Sequence, residues 1–219
     1  MTGFRNVIFA ALCGALTGCA GSGSVETAPG PEAPPPTPAE QAGAGMRLPH
    51  TEADVHFMSG MIGHHAQAIV MARLAETNGA SGPVGILAGR IINAQEDEIA
   101  TAQRWLRDRG QPVPEAKPGP MKMKMNGVEH EMLMPGMLTD EQMRQLEQAR
   151  GPDFDWLFIT FMIQHHRGAV EMVRELFASP GAAQDETVFK FASDVNVDQT
   201  TEINRMAKLL ATLPTTRSP

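Results

Sequence analysis

The chain has no tyrosine, two tryptophans and two cysteines among its 219 residues. Without tyrosine there can be no tyrosyl radical cofactor. Cys13 and Cys19 both stand near the very start. The remainder is free of thiols, so it forms no disulfide and holds no zinc through cysteine. Positive charge is also scarce: 18 Lys and Arg face 25 Asp and Glu. The basic residues form no cluster, which argues against a nucleic-acid partner. No apolar run reaches the ~20 residues that a membrane span needs.

The opening "MTGFRNVIFAALCGALTGC" places Arg5 ahead of an apolar stretch from Val7 to Leu16, the pattern of an export signal. Its end, Leu16-Thr17-Gly18-Cys19, resembles the lipobox of bacterial lipoproteins. Residues 1–18 are therefore predicted to be a signal peptide, with Cys19 as the lipidated residue. Residues 19–48 then form a Pro-, Gly- and Ser-rich tether with too little apolar surface to fold. The expected product is an exported lipoprotein, anchored in a membrane by its N-terminal lipid and facing the periplasm or cell exterior. Residues 49–213 are left as the folded part.

Within that part the sequence repeats. At an offset of 101, "MSGMIGHHAQAIVM" (Met58 to Met71) aligns with "ITFMIQHHRGAVEM" (Ile159 to Met172). Each copy reads M-x-x-H-H-x5-M. Asp54 also aligns with Asp155 and Phe57 with Phe158. At an offset of 104, Gln95, Glu98, Ile99 and Leu106 align with Gln199, Glu202, Ile203 and Leu210. Two related halves result: repeat one over 51–109, a Met-rich linker over 110–138, and repeat two over 139–213.

Apolar residues recur at three and four, so each half reads as a helical hairpin. Capping boxes at Thr51–Asp54 and Thr139–Gln142 start helices, and Gly110 and Pro112 end one. No strand pair is evident. Two hairpins make an all-α four-helix bundle the expected fold.

Inward stripes of these helices carry His64 or His65 with Met61, and Gln95 and Glu98, with Gln199 and Glu202 as their counterparts. Adjacent histidines point about 100° apart on a helix, so His64 and His65 face different neighbours. Buried Gln and Glu need partners, and the imidazoles are candidates. A ring that donates one N–H to a carboxylate can bind metal through its other nitrogen, which makes Gln95, Glu98, Gln199 and Glu202 candidate supports for the ligands. A metal-free polar network fixing the register of the bundle is the rival reading.

Thioether with imidazole suits Cu(I), and Ag(I) on the same grounds of softness, whereas iron prefers oxygen. Zinc through His and Glu would leave the methionines unexplained. The linker adds Met121, Met123, Met125, His130, Met132, Met134 and Met137 within seventeen residues. These read either as a lid over the bundle or as a mobile arm that captures and passes on Cu(I). His50 and His56 are weaker candidates near the start of the first helix.

The segments "FMSGMIGHHAQAIVMA", "IINAQEDEI", "MPGMLTDEQMRQLEQARGPDFDWLFITFMIQHHRGAVEM" and "VDQTTEI" resemble the bacterial domain-of-unknown-function family 305 over about residues 50–212. The resemblance implies an exported, ferritin-like helical bundle, with copper or silver binding in some members. It implies metal contacts at Met61, His64, His65, Met71, Met162, His165, His166 and Met172. The expected function is sequestration or chaperoning of Cu(I), with a copper-handling protein as a partner. A ferritin-like metal oxidase using His with Glu98 and Glu202 is the alternative, and a metal-free interaction module is the third.

Overall fold

The computed structural model describes residues 49–125 and 128–214. The expected signal peptide, Cys19 and most of the tether lie outside the described residues. The first hairpin consists of α1 (Glu52–Thr77) and α2 (Gly82–Arg107). A linker carries β1 (Met121–Met125), β2 (Val128–Met132) and the short α3 (Asp140–Gln148). The second hairpin consists of α4 (Gly151–Ala178) and α5 (Glu186–Leu210). The bundle is all-helical, with α1 and α4 meeting across its middle. The one addition is in the linker, where β1 and β2 pair antiparallel with Met121 opposite Met132. The sequence reading contained no strand pair.

Local chemistry sets the ends of the helices. Thr51 and Asp54 cap α1 reciprocally, and Thr139 and Gln142 do the same for α3. Asp185 caps α5, accepting from the amides of Thr187 and Val188. The same carboxylate accepts from the Trp105 indole N–H at 3.0 Å and pairs with Arg109, so it ties α5 to the end of α2. Its carboxyl sits below the ordinary range: burial opposes this, but the Trp105 and Arg109 hydrogen bonds prevail. Asn78 ends α1, and its amide donates to the carbonyls of Leu146, Glu147 and Ala149, fixing the end of α3.

The aspartates matched by the repeat make reciprocal contacts. Asp54, on α1, accepts from the Ala183 amide at 2.7 Å in the turn between α4 and α5. That contact holds Ala183 at a φ of 55°, a conformation rarely adopted without glycine. Asp155, on α4, accepts from the Ser81 amide at 3.1 Å in the turn between α1 and α2. These contacts also show that α1 and α4 run antiparallel, since the start of each lies beside the end of the other.

Candidate metal centre

The antiparallel crossing of α1 and α4 brings both His–His pairs to the middle of the bundle. His64, His65, His165 and His166 are all fully buried. The rings of His64 and His165 lie face to face, with centroids 3.8 Å apart and a tilt of 40°. The neighbouring rings stand further out, His65 at 6.1 Å from His64 and His166 at 6.3 Å from His165. The two outer rings point to the outer helices. His65 Nε2 lies 2.7 Å from Glu98 Oε2, close but poorly aligned for a hydrogen bond. His166 Nε2 donates to Glu202 Oε2 at 2.6 Å. Each adjacent pair thus divides its work as the 100° spacing requires: one ring inward, one toward a carboxylate.

His64 has a different outer partner. Its Nε2 donates to the carbonyl of Pro135 at 3.0 Å. This carbonyl belongs to a strap, Met134 to Leu138, that crosses the bundle between β2 and α3. Gln67 fastens the strap by donating to the Leu138 carbonyl at 3.0 Å and accepting from its amide at 2.7 Å. Gln164 donates to the Gly136 carbonyl at 3.3 Å. The strap lies so close to α4 that a Cβ on Gly168 would come within 1.8 Å of the Pro135 oxygen. Pro135, Gln67 and Gln164 are not among the residues predicted for the site; their signals in the sequence are Gly136 and Gly168, whose bare backbones permit the crossing.

The remaining nitrogens decide what the centre can do. Among the described residues, the buried side-chain polar atoms with no hydrogen bond are Nδ1 of all four histidines, Nε2 of His65 and His165, both amide atoms of Gln95, Glu98 Oε2, Gln199 Oε1 and Thr160 Oγ1. All but the last belong to the seven residues of the polar core. Each unsatisfied buried group costs about 1–3 kcal/mol. A self-sufficient hydrogen-bond network does not leave such a set, whereas a centre built to take a guest does. The Gln95 amide makes neither of the imidazole bonds expected of it.

Burial also fixes protonation. His64 is pushed down to about 3, first by burial and then by the neighbouring His65, with the Pro135 carbonyl opposing weakly. His165 lies well below its ordinary value, chiefly through burial and then through His64, His166 and His65. Both rings are therefore neutral near pH 7, the form that ligates metal. Where Nε2–H is committed to a carbonyl or carboxylate, Nδ1 carries the free lone pair.

The methionines are buried too, but not in one place. Met61 and Met172 share an apolar cluster with Phe57, Met58 and Met134. Met71 and Met162 share another with Phe154, Phe158 and Leu138. In the antiparallel frame the first pair lies toward Thr51 and the second toward Asn78. The predicted set of eight thus divides into a central group of imidazoles with two thioethers to either end. Among the described residues, no three His, Cys, Asp or Glu side chains form a ready-made cage. The donors at the centre are imidazole nitrogens with the Glu98 and Glu202 carboxylates on the outer rings, and thioether sulfurs lie in the flanking clusters.

Of the linker candidates, Met134 and Met137 are buried, Met121 is partly buried and Met132 is half exposed. The side chains of Met123, Met125 and His130 lie outside the described set. His50 lies edge-on to Trp105, and His56 is half-buried; both line a cavity of about 790 Å³ at the start of α1.

The profile of the family called domain of unknown function (DUF305) matches residues 54–210. A DUF305 protein from Streptomyces coelicolor, described as secreted, has a similar structure: TM-score 0.62, 29% identity, covering 73% of this chain and 92% of that one. A DUF305 fragment from Deinococcus radiodurans gives a TM-score of 0.62 at 26% identity, covering 76% of this chain and 100% of that one. CopM in its Cu(I)-bound form gives a TM-score of 0.54 at 27% identity, covering 72% and 95% of the two chains. CopM has also been solved with Cu(II) and with silver. No curated protein matches the chain in sequence.

Proposed function

From the premise that this chain belongs to the DUF305 family, we propose that it is an exported metal-binding protein that sequesters or chaperones Cu(I), and takes Ag(I) by the same chemistry, without chemical turnover. One observation carries this reading: four imidazoles, each with an unpaired Nδ1, are buried in the core, and two of them meet between α1 and α4. His64 and His165 hold the ion from the middle, while Glu98, Glu202 and the Pro135 carbonyl orient the rings around it. Met61, Met71, Met162 and Met172 supply sulfur from the two ends. The copper- and silver-bound forms of CopM support this class of ion.

The leader sequence and the relative described as secreted support export. No helix among the described residues is long and apolar enough to cross a membrane. Cys19 is the lipidation site on this reading, and mass spectrometry of the N-terminal peptide tests it. The Met-rich segment 121–137 is the arm through which a copper-handling partner would deliver or receive the ion.

The decisive experiment is an anaerobic Cu(I) titration against a competing chelator. Replacing His64, His65, His165 and His166 together by Ala should abolish the high-affinity step. Unchanged affinity in that variant would overturn the assignment. The His65–Glu98 and His166–Glu202 contacts favour a second reading, a ferritin-like oxidase using His and Glu. It requires oxygen consumption by the metal-loaded protein that ceases in Glu98→Gln and Glu202→Gln.

A further inference from the structure

We propose a second metal site, made of thioethers alone, at Gly60 on α1. It rests on the soft-metal reading above and extends it to Met121 and Met134, with Met172 shared between the two sites. Gly60 has no side chain, and three methionine ends converge on the space it leaves. A Cβ placed there would lie 2.9 Å from Met134 Cε, 3.3 Å from Met172 Cε and 3.4 Å from Met121 Sδ. Three separate elements supply these ends: the strap, α4 and β1. All three atoms lie within 3.4 Å of one point, and each side chain has three rotatable bonds with which to turn its sulfur inward.

Packing alone does not explain this arrangement. The residue matching Gly60 in the second repeat is Phe161, and the residue matching Met172 is Met71. Phe161 is buried in the same apolar cluster as Met71. A symmetric bundle would therefore be filled at this point by a ring. In the first half the ring is missing, and sulfur from the linker occupies its place. The group is also not sealed. Gly60, Met121 and Met134 line an open cavity of about 460 Å³ together with Gly63, Pro118 and Lys117. Met121, only partly buried, stands at that mouth and presents its sulfur inward.

Position gives the site a role. Gly60 precedes His64 by four residues, about 6 Å along the helix. Met134 directly precedes Pro135, whose carbonyl holds His64. A soft ion entering through the cavity meets neutral sulfur donors first and the buried imidazoles one turn later. With the Met121 sulfur already facing the space and Met134 and Met172 turned to bring theirs in, the site selects monovalent copper or silver, because thioethers are its only donors.

The test uses the full chain labelled with 13C-methyl methionine and titrated with Ag(I). The methyl resonances of Met121, Met134 and Met172 should shift, and should still shift in a His64→Ala, His165→Ala variant. The variant M121L/M134L, which leaves every ligand of the imidazole centre in place, should bind one Ag(I) fewer per chain while the His64 and His165 imidazole signals still respond. Gly60→Ala, a smaller change that pushes the Met134 methyl aside, should weaken the methyl response at least tenfold. The proposal is overturned if the methyl resonances stay still in the histidine variant, or if the leucine variant binds as many ions as the parent. Failure of the imidazole reading looks different: the histidine variant would then bind Ag(I) with the same stoichiometry as the parent.

Discussion

Gly63-His64-His65-Ala66-Gln67 and Gln164-His165-His166-Arg167-Gly168 enclose the same pair of imidazoles between the same two residue types in opposite order. In space the glutamines converge on one strap, Gln67 at Leu138 and Gln164 at Gly136. The glycines do not behave alike. Gly168 lies directly beneath the strap, whereas the nearest atom to a Cβ on Gly63 would be the Lys117 oxygen at 3.5 Å. The histidines differ as well: His64 donates to the Pro135 carbonyl of the strap, whereas neither nitrogen of His165 makes a well-formed hydrogen bond. Duplication built a near-symmetric pocket, but a single linker cannot cross it symmetrically. One central ring is consequently tied to the linker and the other is not.

The strongest way to break this asymmetry is Gly168→Ala. Its Cβ would meet rigid backbone, so the strap must lift. The expected cost is about 3 kcal/mol or more, read as a fall in Tm of roughly 6–12 °C for a chain of this size. A variant that melts with the parent would show that the strap is not seated there. Gln67→Ala comes next. It leaves the Leu138 amide and carbonyl without partners at about 1–3 kcal/mol, and amide exchange at Leu138 should accelerate while the far end of α2 stays protected. Gly63→Ala is the smallest and has the opposite sign. With ordinary contacts only, it should be neutral or stabilise by up to about 1 kcal/mol, since Ala favours a helix interior over Gly. Similar losses for the two glycine variants would remove the distinction between the halves.

Much of this architecture could be read from the chain. The helices announced themselves through periodicity and through Thr51, Asp54, Thr139 and Gln142, because capping is local chemistry. Gly110 takes the positive φ, 63°, that its position after α2 suggested. The hairpin of β1 and β2 was missed although a signal existed: Asn126-Gly127 stands between "MKMKM" and "VEHEM". The strap could not be read at all, because Pro135 and His64 are 71 residues apart and only packing brings them together. The same holds for Gly60, where the sequence shows an unremarked glycine and the fold shows a meeting point of three thioethers.

The two aspartates carry a consequence of their own. Asp54 fastens the turn of the second hairpin and Asp155 that of the first, so each hairpin braces the loop of the other. Contacts exchanged in this way, each side giving what it receives, are those of an isologous dimer. The polypeptide holds that dimer within one strand of chain. Severed between the halves, it would yield two fragments, each incomplete until it found the other.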